Sequence, residues 1–177
     1  MIRITGGEYR SRLLETPNTG LTKPTMDKVR AAVFSALGDL VNGASVLDLF
    51  AGSGSYGFEA LSRGANEATF VDSSLEAIKV IKKNAENLKA QEVNIVNSDV
   101  LRFLEQNSQD FSIIFVDPPY KLQVYEDIVN IVISKEILKA NGALVLESEK
   151  ELNIDESLFK SVRFYKYGLA KIYILRK

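Results

Sequence analysis

The sequence predicts an α/β fold: a doubly wound, mostly parallel sheet, with a short N-terminal arm before it and an antiparallel hairpin after it. Strand-like and helix-like stretches alternate from Asn42-Gly43 onward, which is typical of βαβ units. The strand-like stretches are apolar nearly throughout, as expected for strands covered on both faces. A glycine-rich loop follows the first of them, at the end of a strand where such sheets bind ligands.

The core of the chain divides into strands and helices by apolar pattern and bounding turns. The predicted strands are Ser45–Phe50, Ala68–Val71, Val93–Val96, Phe111–Val116 and Ala143–Glu147. The predicted helices between them are about Tyr56–Arg63, Leu75–Lys89, Val100–Glu105 and Tyr125–Leu138. Near the C-terminus, Ser161–Tyr167 and Ala170–Arg176 flank Gly168, and this pattern predicts the antiparallel hairpin.

The first 40 residues lie outside this alternation. Residues 1–20 read as short strands around a Gly6-Gly7 turn. A helix follows, with Thr25 as its predicted N-cap and apolar residues such as Val29 and Val33 near helical spacing. We expect a single domain over residues 1–177, in which this arm and helix (1–40) precede the α/β core (41–177).

Composition excludes several kinds of chemistry. The 177 residues include no cysteine and no histidine, so disulfides, Cys/His zinc sites, a cysteine nucleophile and a histidine-based triad are excluded. The residues that remain suggest no metal site. No apolar run reaches the roughly 18 residues of a membrane span, and the start lacks the apolar core of a signal peptide. We therefore expect a cytoplasmic protein that does not contact a membrane.

Charge is unevenly distributed along the chain. The net charge is −1, but residues 1–30 carry six basic and three acidic side chains, a local balance of +3. A basic arm on an acidic body indicates a polyanionic partner, for which Arg10, Arg12 and Lys23 are the candidate contacts. The alternative is an ordinary solvated terminus.

Acidic residues accompany four successive predicted strands. Asp48 and the glycine loop belong to the first, Asp72 follows the second, Asp99 follows the third and Asp117 follows the fourth. Because the carboxyl ends of parallel strands meet at one edge of a sheet, these residues are expected to converge on a ligand site.

The loop Gly52-Ser53-Gly54-Ser55-Tyr56-Gly57 fits the pattern G-x-G-x-x-G. Such a loop allows close approach of a ligand to a helix N-terminus, and by itself it fits a dinucleotide, an adenosyl cofactor or a purely structural turn. Asp72 can accept hydrogen bonds from ribose hydroxyls, although a capping box of Ser73 and Glu76 would also explain an acid there. Asp99 can accept from an adenine amine or cap a helix.

The fourth strand ends on Asp117-Pro118-Pro119-Tyr120. The prolines hold Asp117 and Pro118 extended, so that the carboxylate of Asp117 and the carbonyl of Pro118 can both face the cleft. Tyr120 can place a ring beside them. Two acceptors and an aromatic platform suit a planar group that carries an NH₂, whereas a simple strand-ending turn would need neither the acid nor the tyrosine.

The stretches "VLDLFAGSGSYGFEALSRGA" (46–65) and "FVDPPY" (115–120) resemble class I S-adenosylmethionine-dependent methyltransferases that modify exocyclic amines. Four others, "RITGGEYRSRLL" (3–14), "KPTMDKVRAAVFSAL" (23–37), "VNSDVLRFL" (96–104) and "LVLESE" (144–149), resemble the RsmD-type family. That family methylates N2 of a guanine in small-subunit (16S) ribosomal RNA. Ser11, Lys23 and Ala31 depart from its pattern and leave the details of RNA contact open.

The resemblance implies a Rossmann-like fold, S-adenosylmethionine as cofactor and a role for each motif. Asp48 and the glycine loop would hold the methionine part, Asp72 the ribose, and Asp99 with the Val100 amide the adenine. The whole implied cofactor site is Asp48, Phe50, Gly52, Ser53, Gly54, Gly57, Asp72, Ser73, Asp99 and Val100. The implied target-base site is Asp117, Pro118 and Tyr120, with Pro119, Arg10, Arg12 and Lys23 on the RNA.

The family's preference further implies ribosomal RNA within a small-subunit particle or assembly intermediate as the substrate, and we expect a monomer. Three rival functions share parts of the pattern. An adenine-N6 methyltransferase would need a base-reading domain, for which about 40 leading residues are too few. A glutamine-N5 protein methyltransferase usually carries asparagine in place of Asp117, and a dinucleotide-dependent oxidoreductase gives Asp-Pro-Pro-Tyr no role.

Overall fold

The computed structural model describes residues 1–18, 25–119 and 121–177. The strands are β1 (Ile2–Arg3), β2 (Leu13–Leu14), β3 (Ser45–Leu49), β4 (Glu67–Asp72), β5 (Val93–Asn97), β6 (Phe111–Val116), β7 (Leu138–Ser148), β8 (Ser161–Tyr167) and β9 (Ala170–Arg176). The α-helices are α1 (Thr25–Leu37), α2 (Ser55–Ser62), α3 (Leu75–Leu88), α4 (Val100–Gln106) and α5 (Tyr125–Ser134).

Seven strands form one sheet in the order β5-β4-β3-β6-β7-β9-β8. Strands β3 to β7 run parallel, while β9 is antiparallel to both β7 and β8. The chain builds outward from β3 to β5 and then returns to the other side of β3 with β6. This reversal creates a crevice between the carboxyl ends of β3 and β6, which is where doubly wound sheets bind ligands. The predicted α/β architecture with its C-terminal hairpin is confirmed.

Helices cover both faces of the sheet. Apolar residues of α1, α2 and α3 pack on one face, against strand residues such as Val46 and Ile113. Residues of α4 and α5 pack on the other face, against neighbours such as Leu47 and Ile114. Because side chains alternate along a strand, a strand covered on both faces needs apolar residues at nearly every position. No helix in the described ranges is long and apolar enough to span a membrane.

Most predicted boundaries lie within one residue of the structure, but β7 begins at Leu138 rather than at the predicted Ala143, and three expectations at helix ends differ. The helix predicted to end at Leu138 ends at Ser134, because Glu136 adopts a left-handed conformation (φ 54°) and Leu138 already begins β7. Thr25, the predicted N-cap, is the first residue of α1. The cap of α3 is Ser74, whose hydroxyl accepts from the Ala77 amide at 3.3 Å, so Ser73 is not the N-cap that the alternative explanation of Asp72 required.

The N-terminal arm is held to the core by a buried carboxylate. Glu59 on α2 is fully buried and accepts five hydrogen bonds. Three come from the arm, through the amide and hydroxyl of Thr5 and the amide of Gly6 at 2.6–2.9 Å. The others come from Arg30 on α1 at 3.2 Å and from Arg63 at 2.8 Å.

The protonation of Glu59 follows from these donors. Burial alone would raise its pKa, but the hydrogen bonds from Thr5 and Arg63 and the charge of Arg30 outweigh burial and hold the pKa below its ordinary value. Arg30 is itself only 2% exposed, so each of the two charges depends on the other for stabilisation.

Replacing Glu59 with alanine should therefore destabilise the fold, because the buried guanidinium of Arg30 would keep Asp27 but lose its buried carboxylate partner, and the amides of Thr5 and Gly6 would lose their acceptor. We expect Glu59→Ala to lower the free energy of unfolding by about 3 to 5 kcal/mol. Urea unfolding followed by circular dichroism measures the change. Glu86→Ala, which removes an exposed carboxylate from α3, is the matched control and should change stability by less than about 0.5 kcal/mol. Equal effects of the two substitutions would contradict this account of the arm.

Candidate active site

A cavity of about 620 Å³ lies at the crevice between β3 and β6, and its size is typical of a small-molecule site. Nine residues of the predicted site line it: Phe50, Gly52, Ser53, Asp72, Ser73, Asp99, Val100, Asp117 and Pro119. Asp48, Gly54, Gly57 and Pro118 do not line it, and Tyr120 and Lys23 lie outside the described residues. The structure therefore brings together residues from the ends of four predicted strands, as the pattern indicated.

The glycine loop leaves β3 and caps α2. Gly54 occupies the N-cap position with a left-handed backbone (φ 77°), which favours glycine. At Gly57 a Cβ atom would lie 2.3 Å from the Phe70 ring, so only glycine lets the helix pack this closely on β4. Both glycines thus shape the loop from behind the cavity, while Gly52 and Ser53 face into it.

Asp48 lies within β3 rather than after it, and it supports the loop from below. Its carboxylate accepts from the Gly57 amide at 2.9 Å. Burial raises the pKa of Asp48 to about 8; the Gly57 hydrogen bond opposes this shift, and the charge of Asp72 adds to it. Asp48 therefore positions the first turn of α2 and has no direct access to the cavity.

Asp72 joins the glycine loop to the start of α3. One carboxylate oxygen accepts from the Gly52 amide at 2.9 Å and the other from the Ser74 amide at 2.8 Å. These two donors fix the carboxylate at the wall of the cavity. Lone pairs that remain on its oxygens face the space where hydroxyl groups of a ligand could donate.

Asp99 and Val100 form the next section of the wall. Asp99 caps α4 by accepting from the Arg102 amide at 3.0 Å, so the capping interpretation of this acid is correct. Capping uses one carboxylate oxygen and leaves the other as an acceptor. Val100 is the first residue of α4, where an amide has no partner within the helix, so the pair offers an acceptor beside a donor.

A second acid, Glu147, lies beside Asp117. Val116 of β6 pairs with Leu146 of β7, so the register places Asp117 beside Glu147. The Tyr56 hydroxyl donates to the Glu147 carboxylate at 2.6 Å, and the Tyr56 ring stacks on Phe115 at 4.6 Å. No group of three ligating side chains placed to hold a metal ion occurs in the described ranges.

These surroundings change the acidity of Asp117. Burial raises its pKa well above the ordinary value, and repulsion from Glu147 and then Asp48 adds to the effect. The pKa of Tyr56 is likewise well above its ordinary value because of burial and the nearby charges of Glu147 and Asp117. Once ionised, Asp117 is thus a stronger base than an exposed carboxylate.

The sequence did not predict one wall of the cavity. Ile2 and the segment Thr16–Asn18 of the arm close it on one side, and Ser74, Ala77 and Leu122 also line it. No local pattern marks Ile2 and the segment Thr16–Asn18, because they reach the site only through the docking of the arm.

Asn84 was also missed, although it connects the arm to the glycine loop. It is fully buried on α3. Its side-chain amide donates to the carbonyls of Ser53 and Glu15, both at 3.0 Å, and its carbonyl accepts from the Glu15 amide at 2.8 Å. A signal was present, because Asn84 shares the apolar face of the helix with Ile81 and Leu88.

Arg10 and Arg12 of the arm do not line the cavity. Arg10 and Arg12 are exposed. Arg12 donates to the carbonyl of Asn87 at the end of α3, at 2.6 Å, so part of its guanidinium is already engaged.

The chain is similar over its whole length to methyltransferases. A model of the family described as conserved hypothetical protein 95 matches residues 2–176. Ribosomal RNA small subunit methyltransferase D of Escherichia coli (strain K12) is 38% identical over 150 residues, which are 85% of this chain and 76% of the relative.

Solved structures agree with this similarity. The Escherichia coli protein yhhF superposes with a TM-score of 0.89 and 34% identity, covering 99% of this chain and 97% of that one. The T. thermophilus 16S rRNA N2 G1207 methyltransferase (RsmC), in complex with AdoMet and guanosine, gives a TM-score of 0.74 and 26% identity, covering 92% of this chain and 45% of that one.

Replacing Asn84 with leucine should weaken ligand binding in the cavity, because the carbonyls of Ser53 and Glu15 and the Glu15 amide would lose their buried partner. We expect Asn84→Leu to weaken the binding of an adenosyl ligand about tenfold, the equivalent of one unsatisfied buried group. Isothermal titration with S-adenosylhomocysteine measures the change. Asn87→Leu, one turn further along α3 and exposed, should bind as the wild type does. Unchanged affinity in both variants would show that the arm does not position the loop.

Proposed function

Because this chain belongs to the family described as conserved hypothetical protein 95, the family of the RsmD-type enzymes, we propose that it transfers a methyl group from S-adenosylmethionine to N2 of a guanine in 16S ribosomal RNA. One observation carries the proposal. Asp117 and Pro119, from the motif suited to an exocyclic amine, line the same cavity as Gly52, Ser53 and Asp72, which suit an adenosyl cofactor.

The described residues fit S-adenosylmethionine along the length of the cavity. Asp72, fixed by two amide donors, is placed to accept from ribose hydroxyls. Asp99 and the Val100 amide match the amine and ring nitrogen of adenine. Gly52 and Ser53, with Phe50, leave room for the methionine part, while Asp48, Gly54 and Gly57 shape the loop from behind. When bound, the cofactor supplies a methyl group on a positively charged sulfur.

Asp117 and the carbonyl of Pro118 act on the target amine. The N2 lone pair of guanine is delocalised into the ring, which makes it a poor nucleophile. Hydrogen bonds from the NH₂ group to these two acceptors favour a pyramidal nitrogen and hold it in line with the methyl group. As the new nitrogen–carbon bond forms, Asp117 accepts the proton that nitrogen releases, and its raised pKa suits this role.

The base must leave its pairing partner to enter the cavity, and we assign Tyr120 as its stacking platform. The substrate is ribosomal RNA in a small-subunit particle or assembly intermediate in the cytoplasm, and the protein acts on it as a monomer. Arg10, Arg12 and Lys23 contact RNA phosphates, so that residues 1–40 and the core (41–177) work as one domain. No metal takes part.

Loss of Asp117 tests the function directly. We expect Asp117→Ala to lower kcat by roughly 10² to 10⁴-fold, the range of general acid–base effects, while the affinity for S-adenosylmethionine changes little. The assay follows tritiated methyl transfer to small subunits from Escherichia coli cells that lack the similar methyltransferase, with the product nucleoside identified by mass spectrometry. N2-methylguanosine is the expected product. A product methylated on adenine, or normal turnover of the variant, would refute the proposal.

The raised pKa of Asp117 also predicts a pH dependence. Because the ionised carboxylate is the base, the rate should rise with pH as Asp117 loses its proton. Glu147→Gln removes the negative charge that disfavours this ionisation but keeps an acceptor for Tyr56. The midpoint of the rise should therefore move to lower pH, as measured by kcat between pH 5 and 10. Glu151→Gln, an exposed change nearby, should leave the midpoint in place. An unshifted midpoint in Glu147→Gln would remove Glu147 from this role.

A further inference from the structure

The C-terminal hairpin is the most basic part of the chain, and the proposed function gives it no role. Residues 157–177 contain six lysines and arginines and no aspartate or glutamate, whereas the whole chain carries −1. Besides Phe159, the same segment carries four aromatic residues: Phe164, Tyr165, Tyr167 and Tyr173. Basic and aromatic side chains together are characteristic of surfaces that bind single-stranded nucleic acid.

The turn of the hairpin lies at the edge of the sheet where the cavity opens. Strand β9 runs antiparallel to β7, and its first residues pair with the carboxyl end of β7. The Gly168 turn between β8 and β9 is therefore at the same edge as Asp117.

Strand register connects the hairpin with Asp117. Glu147 pairs with Ile172, and Ile172 pairs with Tyr165. Since Asp117 lies beside Glu147, these four residues form a row across four adjacent strands and point to one face of the sheet. Neighbouring strands lie about 4.8 Å apart, so Tyr165 is roughly 14 Å from Asp117 along this row. A few linked nucleotides span such a distance.

The side chains along β8 form a fixed aromatic surface with free charges. The rings of Tyr165 and Tyr167 lie nearly parallel, 14° apart in orientation with centroids 6.3 Å apart, and both pack partly against the core. Arg163 shares their face by strand alternation, whereas Lys166 lies on the other face of the same strand. Because β8 is the outermost strand of the sheet, an RNA strand that passes over this edge can reach both cations. Both cations are exposed, and neither forms an ion pair with any residue that the structure describes.

We propose that this tyrosine shelf, made of Arg163, Tyr165, Lys166 and Tyr167, binds the single-stranded ribosomal RNA next to the target guanine. Bases stack on the two tyrosines, and the two cations contact the phosphates. The inference rests on the proposed function, because a guanine that enters the cavity leaves its neighbours unpaired and close by. Charge favours RNA over a protein partner, since a segment with six basic residues, no acidic residue and fixed aromatic rings matches a polyanion with stacking bases.

Removing the free charges tests the phosphate contacts. We expect Arg163→Ala with Lys166→Ala to weaken binding to small subunits from Escherichia coli cells that lack the similar methyltransferase by about tenfold. The slope of log affinity against log salt should fall by about 1.4, the value for two contacts to a single strand. Lys135→Ala with Lys139→Ala removes two charges at the opposite edge of the sheet and should bind as the wild type does. Affinity for S-adenosylhomocysteine should be equal in all three proteins.

The stacking contact has its own test. Tyr165→Leu keeps an apolar side chain against the core but offers no ring, and we expect about tenfold weaker binding to the same subunits. Tyr165→Phe keeps the ring and should bind as the wild type does. Urea unfolding midpoints equal to the wild type exclude a general folding defect, and the charge variant, whose residues are exposed, tests the surface independently.

The outcomes separate the two proposals. Wild-type affinity in both shelf variants, with a wild-type salt slope in the charge variant, would overturn the shelf. Weaker binding of the charge variant with an unchanged salt slope would also overturn it and would assign the surface to a ribosomal protein. If the wild type binds small subunits through the shelf but transfers no methyl group, the proposed function fails and the shelf stands. If it methylates guanine while both variants bind normally, the function stands and the shelf fails.

Discussion

Glu59 carries a negative charge where water cannot reach it, and three segments of the chain are arranged to satisfy that charge. The arm supplies Thr5 and Gly6, α1 supplies Arg30, and the residue that follows α2 is Arg63. Because an unpaired buried charge costs several kcal/mol, none of these segments can separate without a large penalty. Glu59 also lies on the helix that begins at the glycine loop. Glu59 therefore couples the docking of the arm to the helix that begins at the glycine loop, and the arm wall of the cavity depends on this docking.

The edge of the sheet formed by the carboxyl ends of β3, β6 and β7 carries acids that repel one another. Asp48, Asp117 and Glu147 belong to adjacent strands. Burial raises the pKa values of Asp48 and Asp117; the charge of Asp72 adds to the shift at Asp48, and the charges of Glu147 and Asp48 add to the shift at Asp117. Phe50, a non-glycine residue in the left-handed region (φ 57°), adds backbone strain at the same place. Such features lower stability and are tolerated where function needs them. A cationic cofactor and an amine that becomes positive would both relieve the repulsion.

Much of this site could be predicted from local patterns. The acids and glycines at strand ends were visible because apolar strands stop abruptly at Asp72, Asp99 and Asp117, and parallel strands must end together. Local patterns failed where a segment fits two secondary-structure assignments equally well. Leu138 continues the apolar spacing of α5, yet the left-handed turn at Glu136 places it in β7. Ser73 and Ser74 are both good caps, and the contact of Asp72 with the Ser74 amide favours the second.

The sequence by itself determined the order of strands and helices along the chain, the glycine loop, the Asp117-Pro118-Pro119 motif at the end of a strand, and the concentration of charge in both terminal segments, because each depends on residues that are neighbours along the chain. Only the tertiary structure decided that Thr16–Asn18 would wall the cavity, that Asn84 would join Glu15 to Ser53, and that Asp117, Glu147 and Tyr165 would share one row. The physical reason is that the order of the strands within the sheet and their register arise from packing between distant segments. No single segment of the chain contains that information.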